Sequence, residues 1–266
     1  DSVGYRISKL EDHGIISGYR TLIDFSRLGY ISYRTLIKFI DINEQVLNDI
    51  KSYLRATKGI WGFGKNEGEW DFAFVYLAKT NGQFYSFYEK FASRFRKVIG
   101  TKLITQFLEY VEVDRTYLIN TKSGTRKKLN FDKEIIDIDS TDSKILNILS
   151  KNSRIKLIDI SEKLKLSSML IYQRIKKLEK NGVIIGYKLD LDVLAIGRDY
   201  YGVKMNLSNY SEKEKILEEI YSIKEMTAVL YHIGGYDIEF DLGIENTQRY
   251  HEIIKGLRNK FSSIRD

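Results

Sequence analysis

The sequence contains no cysteine. A disulfide framework, thiolate chemistry and any Cys-based zinc or iron–sulfur site are therefore excluded, and 3 His leave little basis for a metal site. The same absence suits a reducing cytoplasm. No stretch approaches the roughly 20 consecutive apolar residues that a membrane-spanning helix needs. The opening residues, "DSVGYRISKLED", are charged and helix-like, not a basic stretch followed by an apolar one. A protein neither secreted nor membrane-spanning is expected. There is no Gly-rich phosphate loop, no nucleophile elbow and no spaced metal cluster, so no catalytic residue, cofactor or metal ligand is predicted.

What is present is size and repetition. With 266 residues, 43% of them hydrophobic, the chain has enough apolar surface for two or more modest cores. Lys and Arg exceed Asp and Glu by only 43 to 36, but the excess is uneven. Residues 139–190 hold eleven basic against six acidic residues, whereas 199–266 hold nine against twelve. Positive potential concentrated in one region favours a polyanion-binding module joined to a module with another task.

The sequence repeats itself. "RISKLEDHGIISGYRTLIDFSRLG" (6–29) returns 168 positions later as "RIKKLEKNGVIIGYKLDLDVLAIG" (174–197). "NEGEWDFAFVYLAKTNGQFYSFYEKF" (66–91) likewise matches "HIGGYDIEFDLGIENTQRYHEIIKGL" (232–257). Two copies of a composite unit fill the chain.

The second copy shows how a unit begins. Ile145, Leu146, Ile148 and Leu149 form one stripe on a short helix, with Asp139 or Ser140 to cap it. "LIDISEKLKL" gives a second short helix. A third starts with Ser167 as N-cap, turns Ile171, Ile175 and Leu178 inward and stops at Gly182. "VIIGYKLDL" is expected to be a short β pair around Gly186. Three helices and a small wing make a winged helix-turn-helix pattern. The remainder of each copy alternates strand, helix, hairpin, helix and strand, the βαββαβ order of a four-stranded antiparallel sheet with helices on one face.

The expected fold class is thus α+β: winged helix-turn-helix units joined to ferredoxin-like βαββαβ domains, twice over. Residues 1–29 are a partial winged unit, 30–118 a ferredoxin-like domain and 119–137 a linker. Residues 138–197 are a complete winged unit, and 198–266 a ferredoxin-like domain lacking its last strand. Arg6 aligns with Arg174, so the first copy begins inside its third helix; Phe95 aligns with Phe261, so the second stops before the strand matching 102–113. Both ends read as cut, or as completed by a neighbouring chain.

Asp139, Asp142, Ile145, Leu146, Leu149 and Arg154, then Ser167, Ile171, Arg174, Leu178, Glu179, Gly182, Ile184, Gly186 and Tyr187, carry a signature. It resembles the DNA-binding half of the leucine-responsive regulator/asparagine-operon regulator family. "GEWDFAFVYL" and "GGYDIEFDLGI" are similar to that family's ligand-and-assembly domain. The resemblance implies a transcription regulator that binds double-stranded DNA, forms homo-oligomers through its sheet domains and responds to an amino acid or other small metabolite. Members usually carry one unit per chain, so the tandem puts ordinary dimer symmetry and operator spacing in question.

With three aliphatics turned inward, Ser168, Met169, Tyr172, Gln173 and Lys176 are left nearest a major groove. Gln173 suits adenine, since its amide donates and accepts together. Arg174, Lys177, Lys180 and Lys188 are candidates for phosphate anchoring. The bland reading is a solvated helix face, for which Lys and Gln are also good residues. In copy one Gly4, Tyr5 and Ser8 stand where Tyr172, Gln173 and Lys176 do; Arg6 and Lys9 are retained, and Asp12 replaces Lys180. Two readers with different preferences are expected.

In the second domain Gly68, Gly234 and Gly235 permit tight reversals or touch a ligand. Asp71 and Asp237 either cap their hairpins or help form an effector site between sheets. Alternation assigns at least half of Trp61, Phe63, Trp70, Phe72, Phe74 and Tyr76 to cores or sheet contacts. Siroheme decarboxylases also look like this family, and for that reading His232, beside Tyr231 and Tyr236, would be the residue to suspect. A third reading is an assembly protein that has lost DNA binding.

Overall fold

The computed structural model describes residues 2–119, 125–130 and 134–265. In chain order the first copy contributes α1 (Ser2–Asp12), β1 (Ile16–Ile23), β2 (Ile31–Phe39), α2 (Glu44–Ala56), β3 (Ile60–Lys65), β4 (Phe72–Ala78), α3 (Asn81–Phe95) and β5 (Ile99–Val113). A short helix α4 (Thr116–Ile119) and strand β6 (Arg126–Asn130) follow. The second copy gives α5 (Ser140–Lys151), α6 (Leu157–Leu164), α7 (Ser168–Lys180), β7 (Ile184–Leu191), β8 (Asp199–Leu207), α8 (Lys213–Ser222), β9 (Met226–Ile233), β10 (Ile238–Ile244), α9 (Thr247–Lys260) and β11 (Ile264–Arg265).

Local chemistry explains the helix ends. Asn43 accepts the Val46 N–H at 2.9 Å and starts α2, whose Leu47, Ile50 and Leu54 are buried at helical spacing. Thr80, Asp139, Ser167 and Asn246 do the same for α3, α5, α7 and α9. Gly182, just beyond α7, has φ +67°. A side chain there would be strained, so the helix stops.

Nine strands form one sheet among the described residues, in the order β11-β8-β10-β9-β5-β2-β4-β3, with β6 also on β5. Each half has the ferredoxin-like order, and β5 joins them. Gln106 and the residues before it pair with β2, whereas Gln106 to Glu112 pair with β9, with a register break between Phe107 and Glu109. On the outer face of the first half, Tyr33, Ile37, Phe72, Phe74 and Tyr76 pack against Leu47, Ile50, Phe84, Phe87 and Phe91 of α2 and α3. In the second, Val203, Met205, Phe240 and Leu242 pack against Ile216, Ile220, Ile253 and Leu257 of α8 and α9.

The inner faces meet each other. β2 and β10 are three strand steps apart, about 14 Å along a flat sheet, yet Arg34 of β2 makes a bidentate contact with Glu239 of β10. The sheet must therefore roll over at β5, bringing the two halves face to face with helices outside.

Three expectations change. "VIIGYKLDL" does not form its own β pair: β7 is a single strand that pairs antiparallel with β1 of the first copy, Tyr19 opposite Leu189 and Thr21 opposite Tyr187. The two copies share one ribbon, because each supplies a single wing strand. The segment 119–137 is more than a connection, since β6 pairs with β5 from Glu109↔Asn130 to Val113↔Arg126; the rest of the segment lies partly outside the described residues. The second ferredoxin-like domain, expected to lack its last strand, holds a start of one in β11, where Ile264 and Arg265 pair with Leu207 and Asn206.

Of the strand aromatics, Phe72, Phe74 and Tyr76 are core, Trp70 is buried between the halves, and Trp61 remains 46% exposed beside Phe25.

Candidate DNA-reading surface

The winged unit is built around Ile145, Leu146 and Leu149 of α5, Ile160 of α6, and Ile171, Ile175 and Leu178 of α7. Val183, Ile184 and Ile23 close the same core, so β1 of the first copy is part of this domain. The turn between α6 and α7 is tight because Lys165 adopts a left-handed conformation, φ +56°. The Thr21 hydroxyl donates to the Leu149 carbonyl at 2.9 Å, and the Ser153 N–H donates to the Tyr19 carbonyl at 2.9 Å, fixing β1 against α5.

Burying that aliphatic stripe leaves α7 with a wet side. Met169 and Tyr172 are 65% and 46% exposed, and Gln173, Lys176, Lys177 and Lys180 are also exposed; Ser168 is half-buried. Lys176 bonds Glu179 at 2.7 Å, and Glu179 also accepts from the Tyr187 hydroxyl at 2.6 Å. These contacts hold the Glu179 carboxyl below its ordinary pKa. The lysine remains exposed, and an i,i+3 surface pair of this type is weak.

Two of the anchoring candidates have carboxylate partners within the protein. The Arg174 guanidinium donates to Asp139 at 2.7 Å and to Asp142 at 2.8 Å, which ties α7 to the start of α5. Asp139 is also the cap of α5, and its hydrogen bonds from the Asp142 N–H and Arg174 lower its pKa. Two carboxylates on one guanidinium offset its attraction for a phosphate. Lys188 on β7 points to the sheet domain instead of outward, bonding Glu112 of β5 at 2.8 Å.

In α1 no side chain is buried. Tyr5 is 70% exposed, and Arg6, Ser8 and Lys9 are exposed with it. The positions matching Ile171 and Leu178, which are Val3 and Leu10, are 62% and 40% exposed.

The ribbon relates the two helices. The Asp24 N–H donates to Val183 O at 2.8 Å, and the Asp192 N–H donates to Ile15 O at 3.0 Å. Both pairs are the same contact with the copies exchanged, so a pseudo-two-fold passes between β1 and β7. α1 and α7 therefore sit at opposite ends of one antiparallel ribbon.

The effector residues fall on two corresponding corners. Asp71 accepts from Lys38 at 2.7 Å and from the Phe39 N–H at 2.8 Å, and Asp237 accepts from the Leu207 N–H at 2.7 Å. Burial pulls the Asp71 pKa up, but Lys38 and the Phe39 N–H outweigh it and leave it lowered. Gly68 and Gly234 have φ +111° and +80°, as tight reversals require. The Trp70 indole donates to the Tyr236 hydroxyl at 2.8 Å and brings the two corners together.

His232 is not at an open edge. Its side chain is 2% exposed, with Nε2 3.3 Å from Glu239 and Nδ1 3.3 Å from the Thr105 hydroxyl. Burial depresses its pKa. It belongs to a polar cluster that pattern reading missed: Arg34, Glu239 and His232, with Asp241 accepting from the Tyr200 hydroxyl. The available signal was a charge inside otherwise apolar strands, Arg34 in "SYRTLI" and Glu239 and Asp241 in "IEFDL", since a buried charge needs a partner.

Among the described residues no helix is long and apolar enough to cross a membrane.

A family model for winged helix-turn-helix DNA-binding domains matches residues 138–185. The chain is 34% identical over 121 residues to an uncharacterized HTH-type transcriptional regulator of Pyrococcus abyssi, covering 45% of this chain and 82% of the relative. It is 26% identical over 121 residues to the regulatory protein AsnC of Haemophilus influenzae, covering 44% and 79%. One solved structure, the siroheme decarboxylase NirDL in complex with an iron-uroporphyrin III analogue, follows 98% of this chain and 78% of its own with a TM-score of 0.66 at 13% identity. That likeness is one of fold. With α7, its capped helical neighbours and a relative matched over most of its length, the chain belongs to the leucine-responsive regulator/asparagine-operon regulator family of transcription regulators.

Proposed function

We propose that the protein regulates transcription by binding one double-stranded DNA site with two unlike readers, α7 and α1. The observation that carries this is the β1–β7 ribbon, which sets both helices about a pseudo-two-fold with their wet sides exposed. Seven residue steps of ribbon span about 24 Å, and the last turn of each helix packs beside it, Glu179 of α7 accepting from Tyr187 and Glu11 of α1 from Tyr19. Gln173 and Lys176 would read bases from α7, while Lys177 and Lys180 would grip phosphates. Tyr5, Arg6, Ser8 and Lys9 present a different surface from α1, so the two half-sites differ in sequence.

The assignment is tested by two substitutions. Gln173→Ala should relax discrimination at one base pair by about 1–3 kcal/mol. Lys177→Ala should weaken all duplexes by a similar factor and reduce the salt slope by about 0.9. Fluorescence anisotropy with a selected operator and an unrelated duplex, each over a salt series, measures both. Equal competition by the two duplexes at every salt concentration would sink sequence-specific regulation.

An amino acid or other small metabolite at the Gly68, Asp71, Gly234 and Asp237 corners is the effector reading. Its support is limited to the juxtaposition of the two corners, because both carboxylates already accept backbone N–H groups. Assembly through the sheet domains is supported by the way the two halves of the chain already pair through those surfaces. The whole-chain likeness to NirDL raises the decarboxylase reading, but both ring nitrogens of His232 face protein groups. DNA reading is favoured.

A further inference from the structure

The two half-sheets meet through unlike surfaces. The repeat aligns β2 with β8 from Gly29 and Gly197 onward, and β4 with β10 from Asp71 and Asp237, whose carboxylates make equivalent contacts to the Phe39 and Leu207 N–H groups. On this alignment Arg34 corresponds to Gly202, and Glu239 corresponds to Ala73. The side chains of Arg34 and Glu239 are 9% and 5% exposed and bonded through both carboxylate oxygens, one at 2.6 Å. One side of the pseudo-two-fold thus carries a buried ion pair where the other has residues without charge. The neighbouring positions also differ: Leu36 and Val75 in the first half answer to Lys204 and Asp241 in the second.

Pairing like with like would break this arrangement. Two second halves meeting in the same geometry would set Glu239 against Gly202, and two first halves would set Arg34 against Ala73. Either removes the bidentate partner: Arg34 would face no carboxylate, and Glu239 would be left with Lys204 across from it on β8 and His232 beside it. Breaking a buried pair is strongly destabilising even though an intact one adds little stability. Specificity against wrong partners is achieved through such unpaired charges.

We propose that Arg34 and Glu239 form a selectivity device that makes the halves pair as unlike partners and bars pairing of like halves between copies of the chain.

The test uses two full-length variants, Arg34→Glu and Glu239→Arg. The first has two carboxylates at the pair and the second two guanidiniums, so neither matches within its own chain. Each can match the other by exchanging halves. The variants are unfolded in urea, refolded separately and as a 1:1 mixture, and examined by native mass spectrometry. The mixture should yield a 1:1 complex of the two chains at least tenfold more abundant than wild type refolded with a mass-tagged wild-type copy. A chain carrying both changes should regain the wild-type assembly state. Absence of the mixed complex overturns the proposal, whether or not either variant folds alone. So does a single variant that refolds separately with the wild-type assembly state and unfolding midpoint.

Discussion

Glu239→Ala will destabilise the protein by about 3–5 kcal/mol, the range found when one partner of a buried ion pair is removed. The carboxylate accepts both terminal nitrogens of Arg34 and lies 3.3 Å from His232. Without it the guanidinium keeps the Phe107 ring, 5.6 Å from its carbon, and a more distant Asp241, and its Nε already has no hydrogen-bond partner among the described residues. Water cannot replace the lost oxygens without opening the contact between the half-sheets. Joint replacement by apolar residues of similar volume, Arg34→Met with Glu239→Leu, should recover most of the loss, because both desolvation costs vanish together. Urea denaturation of Arg34→Met, Glu239→Leu and the double closes a mutant cycle. A loss below about 1 kcal/mol for Glu239→Ala would mean that solvent reaches the pair.

How much of this was legible in the sequence depends on separation along the chain. The stripe Ile171, Ile175 and Leu178, the cap at Ser167 and the stop at Gly182 are decided within a few residues, and the structure shows all three as read. The carboxylate partners of Arg174 and Lys188 went unread for the opposite reason. A lysine or arginine on an amphipathic helix or wing looks the same whether it faces phosphate or carboxylate, and the carboxylates that decide, Asp139, Asp142 and Glu112, lie 32 to 76 positions away. The wing shows the same limit at the level of strands. "VIIGYKLDL" has strand character on its own, but its partner is Ile16–Ile23, which no local pattern names. The roll of the sheet follows from β5 serving β2, β9 and β6, none of which a local pattern names as its neighbour.

The second large effect is one of pH, and it sits two residues from the first. Glu239 and Asp241 project from the same face of β10, yet their carboxyls are driven in opposite directions. Burial raises Glu239, but the hydrogen bonds from Arg34 and His232 overcome it and hold the group at about 2. Asp241 is buried without a cation of its own; burial and the nearby Glu239 charge lift it to about 7, against the Tyr200 hydroxyl bond and the more distant Arg34 and Lys204. An unfolded Asp ionises near 3.9. Between about pH 4 and pH 7 the folded chain therefore holds a proton that the unfolded chain has released, and stability falls as pH rises by about 1.4 kcal/mol per unit. Glu239 behaves oppositely, adding stability above roughly pH 4.3 and losing it as pH falls toward 2. Asp241→Asn keeps an acceptor for Tyr200 but cannot ionise. It should match wild type near pH 4 and exceed it at pH 8 by up to about 4 kcal/mol, three pH units of linkage. Denaturation midpoints of both proteins at the two pH values measure the difference. Equal stability gaps at pH 4 and pH 8 would show that Asp241 is ionised throughout and that a cation or water reaches it.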